Sequence, residues 1–151
     1  MNKFALLFIA FFILIFHYSI VKAENPATPE KLVGGKIITI LEVKKLLSKN
    51  AKVFDVRNEL EYSEGHIPGA INIPYKEKSE KVINFDPGID RFDLNKLPKE
   101  KNTPIIFYCN GEKCWKSYKS SVTALKTGYN NIHWFRKGMP EWILKGFPVE
   151  K

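Results

Sequence analysis

The chain opens with an unbroken apolar run at residues 4–16, after which short apolar blocks alternate with polar ones. Thr39-Ile40-Leu41-Glu42 has capping-box spacing, and Val43, Leu46 and Leu47 follow at helical intervals, so the pattern predicts a short strand running into an amphipathic helix. Val53-Phe54-Asp55-Val56 is a compact, mostly apolar run bounded by polar residues, as a buried parallel strand would be. Ile105-Ile106-Phe107-Tyr108 is a stronger run of the same kind, and residues 132–135 predict a further strand. Tyr118, Ser121, Val122 and Leu125 share one helical face, with Gly128 placed as the C-terminal cap. Gly138-Met139-Pro140-Glu141 predicts a turn with Pro at the first helical position, leading into a short helix through Trp142 and Leu144 that stops at Gly146. Strands alternating with helices imply an α/β domain with a mainly parallel central sheet flanked by helices. Residues 76–102, rich in Lys, Asp and Glu, predict a long surface connection carrying one helical turn.

The opening run has the features of an address. Lys3 precedes it, and Val21 and Ala23 stand three and one before Glu24, so residues 1–23 are expected to be a secretory signal cleaved after Ala23. A helix of this run at about 1.5 Å per residue would reach only roughly 20 Å, short of a hydrocarbon core of about 30 Å. The alternative is a membrane anchor over residues 4–21, which has to include His17, Tyr18 and Ser19. The expected location is exported and periplasmic, with no stable membrane span after cleavage. Residues 24–35 contain Pro26, Pro29 and Gly34-Gly35 and are expected to be a flexible leader, with the domain over residues 36–151.

Composition agrees with one globular domain: 151 residues, 44% hydrophobic and 26% charged, exclude a disordered chain, and two cysteines are too few for a disulfide scaffold. The net charge of +8 falls to +6 once Lys3 and Lys22 leave with the signal, and that alone gives no reason to expect a nucleic-acid partner. His66 and His133 have no second ligand at metal spacing, and Cys109 and Cys114 have no later pair to complete a zinc site, so no metal or cofactor is expected. No nucleophile elbow, P-loop or dinucleotide fingerprint is present.

What remains is Cys109, directly after the strand of residues 105–108 and just before a helix expected to begin near Lys116 or Ser117. Ligands of open α/β sheets bind beyond the carboxyl ends of the strands. Asn110-Gly111-Glu112-Lys113 could fold into a loop whose N–H groups converge on the thiol, joined by the positive end of the helix and by Lys113 and Lys116. A helix terminus worth about 0.3 to 1 kcal/mol, and up to about 2, corresponds to roughly one pKa unit, which makes the thiolate accessible near neutral pH. The bland alternative is a buried structural cysteine.

Val53-Phe54-Asp55-Val56-Arg57, Glu61-Tyr62 and Gly65-His66-Ile67-Pro68-Gly69-Ala70-Ile71-Asn72-Ile73-Pro74 together resemble the first signature of the rhodanese domain. Tyr108-Cys109, Gly128-Tyr129, Phe135, Gly138, Trp142 and Gly146-Phe147-Pro148-Val149 resemble the second part, so the likeness spans residues 36–149. The resemblance implies a rhodanese-like fold and a single-domain sulfurtransferase. Its cysteine would take a sulfane sulfur from a small anion such as thiosulfate or polysulfide, hold it as a persulfide, and pass it to cyanide, a thiol or a protein acceptor. By position Cys109 would be the catalytic nucleophile, and Asn110, Gly111, Glu112, Lys113, Cys114, Trp115 and Lys116 the substrate-binding loop. The resemblance gives Asp55 and Arg57 structural roles in local polar networks, with Arg57 expected to pair with Glu59 or Glu61. His66, in the Gly-His-Ile-Pro-Gly turn, is likewise expected to be structural.

The departures shape the remaining expectations. Related phosphatases carry an Arg six positions after the cysteine, where this chain has Trp115, so phosphatase chemistry loses its bidentate phosphoryl clamp. Cys114 is a candidate resolving or protecting cysteine for Cys109, or a residue that merely packs at the helix start. Two other functions compete: a thiol-disulfide device using Cys109 and Cys114, and a non-enzymatic binding domain, against which the presence of Cys109 argues.

Overall fold

In the computed structural model, residues 25–151 are described. The expected signal at 1–23 and the expected new terminus at Glu24 lie outside them. Along the chain come β1 (Lys36–Ile37), α1 (Ile40–Leu47), β2 (Lys52–Asp55), α2 (Glu59–Glu64), β3 (Ile71–Asn72), a 3-10 turn (Leu94–Lys96), β4 (Ile105–Tyr108), α3 (Trp115–Lys126), β5 (Ile132–Phe135) and α4 (Gly138–Leu144). The strands form one parallel sheet in the order β1-β5-β4-β2-β3. The three central strands are the long apolar ones, and the two edges are two-residue strands that offer little template for pairing with another chain.

The period of two sorts each central strand between two cores. Phe54, Ile105, Phe107, Cys109, Ile132 and Trp134 pack on one face with Trp115, Tyr118 and Ala124 of α3. Val53, Ile106, Tyr108 and Phe135 pack on the other with Ile40 and Val43 of α1 and Met139 and Trp142 of α4. Cys109 and Tyr108 are chain neighbours and therefore belong to different cores.

The expected capping box starts α1: Thr39 Oγ1 accepts from Glu42 N–H, and Thr39 N–H donates to Glu42 Oε2 at 2.7 Å. An equivalent box, Asn58 with Glu61, starts α2, which periodicity does not reveal because the helix is only six residues long. Helix α4 begins at Gly138, so Pro140 is its third residue rather than its first, still in the turn whose N–H groups need no helical partner.

Two expectations are corrected. Residues 25–35 are not a free leader, because Leu32 joins the α3-side core and Thr28, 3% exposed, is hydrogen-bonded at both backbone and side chain. The connection at 76–102 carries its one helical turn but is not merely superficial: Phe85 and Leu97 are core residues, and Asp90 accepts from Tyr75 OH, Ser79 Oγ and the N–H groups of Lys78 and Ser79. Lys119 of α3, wholly buried, pins this connection by donating to Ser79 O at 2.9 Å and Ser79 Oγ at 2.7 Å and by pairing with Glu77 at 2.7 Å. Burial alone would raise the Asp90 pKa, but the donors from Ser79, Tyr75 and Lys78 together hold it below the ordinary value.

Candidate active site

Cys109 follows β4 at the carboxyl edge of the sheet, 1% exposed. Its Sγ is bonded to Cys114 Sγ, with the Cα atoms 6.2 Å apart. No cysteine is free among the described residues. The chain between them turns tightly: Gly111 has φ +96°, and Cys114 N–H donates to Gly111 O at 3.0 Å. Cys114 is the N-cap residue of the twelve-residue α3, so the loop delivers its second sulfur to the positive end of that helix.

The base of the loop is set by α4. Met139 N–H donates to Cys109 O at 2.9 Å, and a Cβ on Gly138, at φ +58°, would come within 2.1 Å of that carbonyl oxygen. Only glycine permits this approach.

Other fastenings come from distant parts of the chain. Asn110 Nδ2 donates to Glu61 Oε1, whose other oxygen caps α2. Glu112 O accepts from Thr28 N–H at 2.8 Å and Thr28 Oγ1 at 2.7 Å, and its carboxylate pairs with Arg136 Nη1 at 2.7 Å. Arg136, the residue after β5, also donates to Thr28 O at 2.8 Å and Oγ1 at 3.1 Å, so one guanidinium ties the segment around Thr28 to the loop. Trp115 Nε1 donates to Pro26 O at 2.8 Å.

Beneath the loop, on the opposite face of the sheet, lies a buried ionic cluster. Asp55, fully buried, accepts from Arg57 N–H at 2.9 Å, from Arg57 Nη2 at 2.6 Å and from Tyr108 OH at 2.6 Å. Arg57 Nη2 also donates to Gly65 O at 2.7 Å, and Tyr108 OH accepts from Ile67 N–H at 3.1 Å. Burial, then the charge and hydrogen bond of Asp55, push the Tyr108 hydroxyl well above its ordinary value. Burial opposes the Arg57 charge, but Asp55 outweighs it and leaves the guanidinium more firmly protonated.

The structure brings the expected loop residues together around one opening. A cleft of about 340 Å³ is lined by Asn25, Glu77, Lys81, Asn110, Lys113, Cys114, Trp115 and Lys116. Trp115 contributes an edge to it although it is mostly buried, its ring set edge-on to Tyr118. Gly111 and Glu112 shape the loop from the other side, and Cys109 is sealed behind Cys114. Arg57 pairs with Asp55, not with Glu59 or Glu61 as expected, because Glu61 is engaged by Asn58 and Asn110. His66 stands apart in the turn before β3, stacked on Tyr62 at 3.8 Å, with Nδ1 3.0 Å from Tyr62 O and Nε2 3.7 Å from Glu150. Sequence reasoning did not single out Thr28, Glu61, Arg136 or Gly138 as parts of the site. Of these Glu61, within the first signature, and Gly138, within the turn motif, had a local signal. Among the described residues no three His, Cys, Asp or Glu side chains gather as a metal cage.

The family model of the rhodanese-like domain matches residues 39–145. The chain belongs to the rhodanese-like family. It is 34% identical over 118 residues to the mouse (Mus musculus) thiosulfate sulfurtransferase/rhodanese-like domain-containing protein 3, covering 77% of this chain and 73% of that protein. It is 29% identical over 116 residues to the human (Homo sapiens) thiosulfate:glutathione sulfurtransferase, covering 76% of this chain and 98% of that one. Among solved structures, the BH2092 protein of Bacillus halodurans superposes with a TM-score of 0.57 at 26% identity, covering 76% of each chain. In this rhodanese-like chain, then, the loop of residues 109–114 and the buried Asp55-Arg57-Tyr108 cluster sit on a fold shared with sulfurtransferases.

Proposed function

We propose that this protein is an exported single-domain sulfurtransferase that moves a sulfane sulfur from thiosulfate or polysulfide through a persulfide on Cys109 to a thiol, protein or cyanide acceptor. One observation carries the reading: a cysteine at the carboxyl end of a central parallel strand, followed by a tight loop that closes on the N-terminus of α3. In the reduced protein the Cys109 thiolate attacks the outer sulfur of thiosulfate, the sulfur–sulfur bond of the donor breaks, and sulfite leaves with the electron pair. Transfer reverses the geometry: the acceptor attacks the outer sulfur of the persulfide and Cys109 departs as thiolate. The N-terminus of α3, which starts at the loop's end, favours the anion at each stage. Lys81 and Lys116 at the cleft suit an anionic donor.

The test is sulfite and thiocyanate formation from thiosulfate and cyanide by the reduced protein. Both products are expected from the native chain and neither from Cys109→Ser. Equal turnover by the serine variant would remove Cys109 from the mechanism. Export rests on the pattern of residues 1–23 and is checked by N-terminal sequencing of the exported fraction, where Glu24 is the expected first residue and a retained Met1 in membranes would favour the anchor.

A second reading, a thiol-disulfide device, is favoured by the Cys109–Cys114 bond itself. It predicts dithiol-disulfide exchange with protein substrates and no sulfite from thiosulfate.

A further inference from the structure

Cys109 and Cys114 are unequal in three respects. Cys109 is sealed at 1% exposure, whereas Cys114 is partly exposed and lines the cleft. Cys114 holds the N-cap position at the positive end of α3, which favours a thiolate, although its side chain makes no capping bond, while Cys109 follows a strand. The two sulfurs nevertheless reach bonding distance without opening the loop, since the Gly111–Cys114 turn and the Met139 bond to Cys109 O coexist with the disulfide. Any persulfide built on Cys109 is therefore formed within reach of a second, activated thiol of the same loop.

We infer that Cys114 resolves the Cys109 persulfide within the chain, so that the protein releases hydrosulfide and is then recycled by an external dithiol that enters through the cleft and attacks Cys114. This rests on the sulfurtransferase reading and adds a product and a second substrate class to it. In the resolving step the Cys114 thiolate attacks the inner sulfur, Cys109 Sγ. The bond between Cys109 Sγ and the outer sulfur breaks, hydrosulfide leaves with the electron pair, and the Cys109–Cys114 bond forms. The outer sulfur is reduced and the two cysteines are oxidised, so no further oxidant is required.

Recycling needs two electrons, which a dithiol supplies. One thiolate attacks Cys114 Sγ, the sulfur that faces the cleft, and Cys109 leaves as thiolate. The second thiol of the same reagent then displaces Cys114 and carries the new disulfide away. A monothiol needs a second molecule to displace Cys114 from the mixed disulfide, whereas a dithiol completes that step intramolecularly, which favours a dithiol as partner. Attack at Cys109 is disfavoured because it does not line the opening.

The experiment is a single turnover without reductant. Protein reduced by a phosphine and freed of it under anaerobic conditions receives thiosulfate, and sulfite, sulfide and intact mass are read together. Wild type is expected to release matching amounts of sulfite and sulfide, to lose two hydrogens and to retain no added sulfur. Cys114→Ser and Cys114→Ala are expected to release sulfite, lose the sulfide and keep one added sulfur atom. Dithiothreitol should then restore repeated sulfide release by wild type through reduction of the Cys109–Cys114 bond, whereas the Cys114 variants release sulfide only through its direct attack on the outer sulfur of the accumulated persulfide. A stable persulfide on wild type, with Cys114 still free, overturns the inference and leaves the sulfurtransferase reading intact. Absence of sulfite from wild type and both Cys114 variants removes that reading and the inference with it. Limiting iodoacetamide on the reduced chain provides an independent arm: label is expected at Cys114 ahead of Cys109, and the reverse order overturns the proposed point of entry.

Discussion

The carboxyl ends of β2 and β4 lie side by side, with Asp55 opposite Tyr108 in the parallel register, yet they are secured in opposite ways. Asp55 is surrounded by close partners, and each polar atom of the cluster is held by residues of the same signature or of the strand beside it. One residue past Tyr108 the chain turns to the other face, and the loop carrying Cys109 is held by Thr28, Glu61, Arg136 and Met139, which come from three separate segments. A buried carboxylate must be saturated on the spot, because leaving it unpaired in the interior costs several kcal/mol. A reacting sulfur needs a surrounding that can part, and many peripheral hydrogen bonds of about 1 kcal/mol each allow that.

If the comparison holds, the largest effect on chemistry and the largest on folding come from different strand ends. Cys109→Ser is expected to lower thiosulfate turnover by about three orders of magnitude or more. Its cost in stability should be about 2 kcal/mol from the short disulfide loop under oxidising conditions, plus about 1 to 3 kcal/mol for a buried hydroxyl that persists under reducing ones. Steady-state thiocyanate formation and urea unfolding with and without reductant measure the two. A loss in the reduced state well beyond that burial cost would mean that Cys109 serves the core more than the chemistry.

Asp55→Ala should invert this pattern. It strands the Arg57 guanidinium, the Arg57 N–H and the Tyr108 hydroxyl, and the expected loss is about 3 to 5 kcal/mol in urea unfolding. Sulfite release per folded molecule should survive, since the cluster lies on the far face of the sheet from Cys109. Loss of sulfite release with stability preserved would break the division between the two ends.

The same division explains what could be read in the sequence. The long strands at 105–108 and 132–135, the α1 capping box and Cys109 at a strand end follow from local patterns, and Asp55-Arg57 lies within one signature. Helix α2 and strand β3 are too short for a period to register, at six and two residues. The loop fastenings join residues with sequence separations of 84 (Thr28 to Glu112) and 49 (Asn110 to Glu61), and no local pattern announces such pairs. Lys119 misleads for the same reason: a lysine on a helix reads as a solvated charge until Glu77 and Ser79 arrive from another part of the chain to bury it.

Tyr108 offers a finer probe of the β2 end. Replacing it with Phe removes the bond to Asp55 and leaves Ile67 N–H without its acceptor, for an expected cost of about 1 to 3 kcal/mol at neutral pH. Its hydroxyl is raised above the ordinary value of 10.0, first by burial and then by Asp55. Above that pH the unfolded chain loses a proton that the folded chain keeps, so the stability is fully present below pH 10 and declines as pH rises. The slope is about 1.4 kcal/mol per pH unit for each such tyrosine. Tyr75 is raised by burial and Asp90 and adds a second contribution. Stability profiles from pH 8 upward should therefore be shallower for Tyr108→Phe than for wild type, and identical slopes would show that the Tyr108 proton is not held by the fold.

Arg136→Ala tests the other end and should have the smallest global effect. The guanidinium is largely shielded, but its partner Glu112 is half exposed, so the ion pair is screened and the expected loss is about 1 kcal/mol. The local consequence should exceed the global one, because Arg136 bonds both Thr28 and Glu112 and reinforces their direct hydrogen bonds. Hydrogen exchange is expected to quicken at Thr28, whose N–H donates to Glu112 O, and at Cys114, whose N–H closes the loop on Gly111. Exchange at Arg57 and Ile67, whose N–H groups belong to the Asp55 and Tyr108 cluster, should stay at the wild-type rate. Uniform acceleration at both strand ends would show that the loop and the cluster open as one unit. Selective acceleration at the loop would show that one rigid sheet carries an end built to stay shut beside an end built to open.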